Sequence, residues 1–129
     1  MPDTMTRSLA GRRLLIVEDE YLIASDLAWS LEELGAEVLG PAGSVEDALT
    51  LIERQDRLLD GAVLDVNLGR ESVFPVADSL LAAGIPFVFL TGYDRVIIPK
   101  AYASVPRYEK PFDRGLVNRM WSSREPGGR

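Results

Sequence analysis

Short apolar runs alternate with longer amphipathic stretches along this chain. Leu14 to Val17, Ala62 to Leu64 and Phe87 to Leu90 are closed, respectively, by Glu18-Asp19, Asp65 and Thr91. Runs this short, bounded by polar residues, read as strands buried on both faces. The stretches between them carry helical periodicity. Ile23, Leu27, Leu31 and Leu34 share one face of a helix over Glu20 to Leu34, which Gly35 is placed to end. Glu37 to Leu39 reads as a second strand closed by Gly40-Pro41. Ser44-Val45-Glu46-Asp47 resembles a capping box opening a helix whose apolar side is Val45, Ala48, Leu49 and Ile52. Gly61 to Val66 is the third strand. Ser72 to Ala83 is a helix with Val76, Leu80 and Leu81 as core, ended by Gly84, and Ile85 to Leu90 is the fourth strand.

Beyond Gly92 the pattern weakens. Pro99 interrupts it, and one helical turn over Lys100 to Ala103 is all that the spacing supports. Val105 to Glu109 reads as a short fifth strand, and Asp113 caps a last helix through Met120 and Trp121. Trp29 and Trp121 read as helix-packing residues; Tyr93, Tyr102 and Tyr108 read as packing or surface aromatics. Alternating strands and helices with right-handed crossovers predict an α/β fold, a five-stranded, doubly wound parallel sheet with helices on both faces. Residues 1–11 are expected to form a flexible arm, 12–123 the domain, and 124–129 a frayed tail.

In such sheets ligands bind beyond the carboxyl ends of the strands. The acids Glu18, Asp19 and Asp65, the hydroxyl of Thr91 and the ammonium of Lys110 all fall at strand ends. Oxygen donors and a cation gathered at one sheet edge suit a divalent metal ion and a phosphoryl group. Singly, each residue has an ordinary alternative. Glu18-Asp19-Glu20 can be a solvated helix start, Asp65 a loop acid, Thr91 a hydroxyl satisfying nearby backbone, and Lys110 a surface charge.

Composition narrows the chemistry. With 47% hydrophobic and 26% charged residues, the 129-residue chain is ordinary for one soluble globular domain. It has no cysteine, which excludes disulfides, thiolate nucleophiles and Cys-based metal sites. It has no histidine, so it holds no imidazole base and carries no phosphohistidine of its own. A net charge of −6 without a basic stripe argues against nucleic acid as a partner. No apolar stretch is long enough to span a bilayer, and residues 1–11 lack the apolar core of a signal peptide. No membrane partner is expected, and a cytoplasmic location is the default expectation.

The ordered set of an acidic pair after strand one, an aspartate after strand three, a threonine after strand four and Lys110-Pro111 after strand five resembles the signature of response-regulator receiver domains. The resemblance covers Leu14 to Met120. Pro86-Phe87-Val88-Phe89-Leu90-Thr91-Gly92-Tyr93 further resembles the Phe-Ala-Thr-Gly-Tyr motif of one receiver subgroup, with Leu90 in place of the alanine. The family implies a flavodoxin-like strand order, 2-1-3-4-5. It also implies Asp65 as phosphoacceptor, and Thr91 and Lys110 as partners of the phosphoryl oxygens. Mg²⁺ would be held by Asp19, Asp65 and the backbone carbonyl of Asn67, with Glu18 acting through a bound water. Lys110-Pro111 resembles the family's cis peptide. Two departures stand out. Arg107 occupies the place of the family's switch aromatic, with Tyr108 one residue away on the opposite face, and the fourth helix is short or irregular.

The expected function is that of a stand-alone receiver, a phosphoacceptor rather than a turnover enzyme. It takes phosphoryl from a sensor histidine kinase or a histidine phosphotransfer protein. It then signals by contact with a downstream protein, relays the group, or acts as a phosphate sink. A monomer is expected, because the dimerising surface of many receivers includes the fourth helix. Two alternatives come from other classes. A phosphorylation-independent pseudo-receiver binding module should lack a site residue. A phosphatase of the haloacid dehalogenase type would want Asp-x-Asp after the first strand, where this chain has Glu18-Asp19 adjacent.

Overall fold

The structure is a computed structural model that describes residues 9–54, 59–92 and 98–110. Its elements in order are β1 (Arg13–Val17), α1 (Tyr21–Glu33), β2 (Glu37–Ala42), α2 (Val45–Glu53) and β3 (Gly61–Asp65), followed by β4 (Asn67–Leu68), β5 (Glu71–Ser72), α3 (Phe74–Ala83) and β6 (Phe87–Thr91). A single 3₁₀ turn (Lys100–Tyr102) and β7 (Arg107–Glu109) complete it. The main sheet has five parallel strands in the order β2-β1-β3-β6-β7. Leaving out the small hairpin β4-β5, this is the order 2-1-3-4-5 of a flavodoxin-like fold.

Period-two alternation divides the central strands between two cores. Leu15 and Val17, Ala62 and Leu64, and Phe87 and Phe89 face one side, where they meet Ala48 of α2 and Val76, Ala77 and Leu80 of α3. Leu14 and Ile16, Val63, and Val88 and Leu90 face the other, where they meet Leu27 and Leu31 of α1. Continuous apolar runs are therefore required, because both faces of each strand are covered. Local chemistry supports the helix ends. Ser44 Oγ accepts from the Asp47 N–H at 3.1 Å, capping α2 as expected. Gly84, at φ 73°, ends α3 in the left-handed conformation.

Several expectations are corrected. β2 does not close at Leu39 but runs on through Gly40 and Pro41 to Ala42, with a cis Gly40–Pro41 peptide. A proline is tolerated there because β2 is an edge strand. Of the expected arm, residues 9–11 are described. Leu9 is buried in the α1-side core and its N–H donates to the Leu34 carbonyl at 2.8 Å. Leu81 is 48% exposed rather than core. The segment Asn67–Ser72, expected as loop and helix start, is an antiparallel hairpin. The cis peptide expected at Lys110–Pro111, the last helix expected after Asp113, the tail and Tyr93 fall outside the described residues. No helix among the described residues is long and apolar enough to cross a membrane.

Candidate functional site

Parallel pairing carries the polar residues to one edge. The Glu18 N–H donates to Ala42 O at 2.9 Å, the Val66 N–H to Leu90 O at 3.0 Å, and the Lys110 N–H to Thr91 O at 2.8 Å. Each bond extends a strand pair by one step past its end. Glu18 and Asp19 after β1, Asp65 at the end of β3, Thr91 at the end of β6 and Lys110 after β7 are thus brought to the carboxyl edge.

Lys110 sits at the centre of this group. Its Nζ donates to Asp65 Oδ2 at 2.8 Å, lies 3.0 Å from Glu18 Oε1 and 3.6 Å from Glu20 Oε1. Asp65 is 4% exposed and Glu18 2%, so two acids share one ammonium out of water. Asp65 Oδ1 accepts from the Asn67 N–H at 3.1 Å, and Glu18 Oε2 from the Glu20 N–H at 3.1 Å. Thr91 is 8% exposed.

The electrostatics follow from burial. Glu18 is pushed up to about 7, first by loss of solvent and next by the neighbouring Asp65, against the pull of the Glu20 N–H and Lys110. Burial alone would lower Lys110, but the Asp65 and Glu18 carboxylates more than offset it, and its pKa is raised. The ammonium therefore stays charged at any physiological pH.

The residues suit a hard divalent cation. Glu18, Asp19 and Asp65 each offer a carboxylate oxygen, and these oxygens lie within 4.8 Å of one another. Glu18 Oε1 is buried and, among the described residues, takes no well-oriented hydrogen bond, for all its nearness to Lys110. An all-oxygen donor set with excess negative charge matches the preference of Mg²⁺. Asp19 is exposed, as a ligand open to a hydrated ion should be. Two residues near the site escaped the sequence reading. Glu20, taken as a helix-start acid, is a third partner of Lys110. Glu71, in the unforeseen hairpin, accepts from the Val45 N–H at 3.0 Å. Periodicity gives no signal for either contact, since both are made by exposed side chains.

No family model matches the chain. Relatives and solved structures do. The transcriptional regulatory protein PdtaR of Mycobacterium tuberculosis is 36% identical over 95 residues, 73% of this chain and 45% of PdtaR. The phyllosphere-induced regulator PhyR of Methylorubrum extorquens is 33% identical over 116 residues, 85% of this chain and 41% of PhyR. The solution structure of SdrG from Sphingomonas melonis Fr1 is 39% identical, covers 87% of this chain and 94% of its own, and superposes with a TM-score of 0.77. SdrG has also been solved in a BeF3-activated conformation, at 37% identity and a TM-score of 0.73, covering 88% of this chain and 96% of its own. The chain belongs to the response-regulator receiver family. It spans less than half the length of the two curated relatives, and the likeness to them is a likeness of this domain.

Proposed function

We propose that this receiver accepts a phosphoryl group on Asp65 with the help of a bound Mg²⁺. The observation that carries the reading is the bridge from Lys110 Nζ to both Asp65 Oδ2 and Glu18 Oε1, beside Asp19 at the sheet edge. In this arrangement an Asp65 oxygen attacks phosphorus as the bond to the departing donor breaks, leaving an acyl phosphate. Lys110, already on Asp65 and able to swing on a flexible stem, follows the charge onto a phosphoryl oxygen. Thr91, one strand over, donates its hydroxyl to another. Asp19, Asp65 and the Asn67 carbonyl would hold Mg²⁺, which would supply neutralising charge for the transfer.

The donor imidazole comes from a partner, because this chain has no histidine. A sensor histidine kinase or a histidine phosphotransfer protein fits that role. Tyr21 and Leu22, each 79% exposed at the start of α1, offer apolar contact next to the acids. Output passes to a downstream protein by contact. The protein acts as a phosphoacceptor and not as a turnover enzyme. The BeF3-activated conformation of SdrG supports the reading, since a receiver so similar responds to a phosphoryl analogue. Incubation with Mg²⁺ and acetyl phosphate, followed by intact mass, tests it. Addition of one phosphoryl group that EDTA prevents is the expected result. No addition, together with unchanged amide NMR shifts on adding BeF3 and Mg²⁺, would favour a phosphorylation-independent binding module.

A further inference from the structure

Beyond Asn67, the hairpin that follows Asp65 carries a side chain that the phosphoryl chemistry does not use. Asn67 pairs with Ser72 and Leu68 with Glu71, and buried Val66, Leu68 and Val73 root it in the core. Its turn lies over the acidic pocket. A Cβ on Gly69 would lie 3.4 Å from Asp19 Oδ2, at a φ of +60° that favours glycine. From the neighbouring β2–α2 loop, a Cβ on Gly43 would lie 3.9 Å from Asp19 Cα. Asp19 is therefore bounded by two loops that belong to different βα units.

One side chain ties those loops together. Glu71 Oε1 accepts from the Val45 N–H, the first of α2, at 3.0 Å. Early helix N–H groups have no partner inside the helix, and a carboxylate there is also favoured by the helix dipole. Ser44 already serves the Asp47 N–H, so Glu71 completes the cap from another segment of the chain. The consequence reaches the pocket. Fixing the hairpin to the start of α2 sets how close Gly69 and the Asn67 main chain stand to Asp19.

We infer that Glu71 is a positioning residue for the cation pocket, acting through the Val45 N–H to hold the hairpin against Asp19. The inference rests on the metal-dependent reading of the site given above. A simple helix cap would affect stability alone. A positioning residue affects metal affinity, and does so through the hydrogen bond.

Titration calorimetry with Mg²⁺ on wild type, Glu71→Ala, Glu71→Gln and Val45→Pro separates the two. Glu71→Ala should weaken Mg²⁺ binding by about tenfold, the low end for groups that orient metal ligands from outside. Glu71→Gln keeps an acceptor and should bind nearly as wild type. Val45→Pro removes the donor, along with a valine side chain that packs on the core beside α2. Proline is accepted at the first helical position, and Ser44 before it is already extended. It should match Glu71→Ala, and the double variant should lose nothing more. Wild-type affinity in Glu71→Ala, with only thermal stability reduced, would make Glu71 a cap and overturn the inference. So would a Glu71→Gln variant as weak as the alanine, or losses that add in the double variant. If wild type itself binds no Mg²⁺, the metal reading fails, and this inference with it.

Discussion

Lys110 Nζ stands 2.8 Å from Asp65 Oδ2 and 3.0 Å from Glu18 Oε1, so one ammonium joins the ends of three strands. Removing a buried cation from two acids leaves charge that neither solvent nor protein offsets. The same lysine is thus a structural counter-ion in the free protein and a mobile charge during transfer. The two roles make separable predictions.

Lys110→Met should destabilise the metal-free protein near neutral pH by roughly 3 kcal/mol, the scale for breaking a buried ion pair. At about pH 5 the loss should shrink, because protonating Glu18 removes much of the stranded charge. Urea denaturation at both pH values measures this. An equal loss at both would mean that Lys110 contributes packing alone.

Asp65→Asn should abolish labelling by acetyl phosphate or a phosphorylated kinase while leaving the fold intact. Asparagine keeps an acceptor for the Asn67 N–H, which bonds Asp65 at 3.1 Å. Intact mass and circular dichroism are the measurements. Full labelling of the variant would place the acceptor elsewhere.

Asp19→Ala should weaken Mg²⁺ binding far more than Glu20→Ala. Asp19 belongs to the oxygen cluster, whereas the Glu20 side chain is 64% exposed and reaches Lys110 at 3.6 Å. Equal effects in calorimetry would shift the metal site by one residue.

The elevated Glu18 carboxyl gives a pH dependence with a definite sign. Its folded pKa of about 7 lies above its ordinary value of 4.5, so the fold holds a proton that the unfolded chain has released. This contribution is complete below about pH 4.5 and is lost as pH rises to about 7. Glu18→Gln should therefore stabilise the EDTA-treated protein at about pH 7.5 and change it little near pH 4.5. Thermal melts at the two pH values test it, and destabilisation at the higher pH would contradict it.

The core and the edge site were legible because each depends on pattern. Strand burial writes itself as Leu14 to Val17 or Phe87 to Leu90, and parallel topology then sends Glu18, Asp19, Asp65, Thr91 and Lys110 to one edge. Ser44 and Gly84 announce helix ends through chemistry that is local. Pairs of residues such as Asn67-Leu68 and Glu71-Ser72 are too short to show a period, so the hairpin was invisible. The Glu71–Val45 bond joins residues distant in sequence, and no local rule reaches it. Leu81 differs from its expected place for another reason. Helical spacing says which residues share a face, but not how wide a face the sheet covers.

Tyr102, which the sequence leaves as a packing or surface aromatic, is a packing one, and its setting carries a last prediction. It is 4% exposed, stacked on Phe74 at 5.1 Å and edge-on to Phe89 at 5.9 Å. Its hydroxyl donates to Asp78 of α3, which ties the turn after β6 to that helix. Tyr102→Ala should cost about 3–5 kcal/mol, as for other large buried aromatics, and Tyr102→Phe about 1 kcal/mol for the hydrogen bond. Burial, then Asp78, pushes the phenol up to about 12 from its ordinary 10. The unfolded chain therefore ionises first, and the advantage of tyrosine over phenylalanine is full below about pH 10 and lost towards about pH 12. Urea denaturation of wild type and Tyr102→Phe from neutral to alkaline pH measures the difference, in which every other titrating group cancels. A gap that stays constant or widens as pH rises past 10 would show that the phenol is not held in its protonated form by the fold.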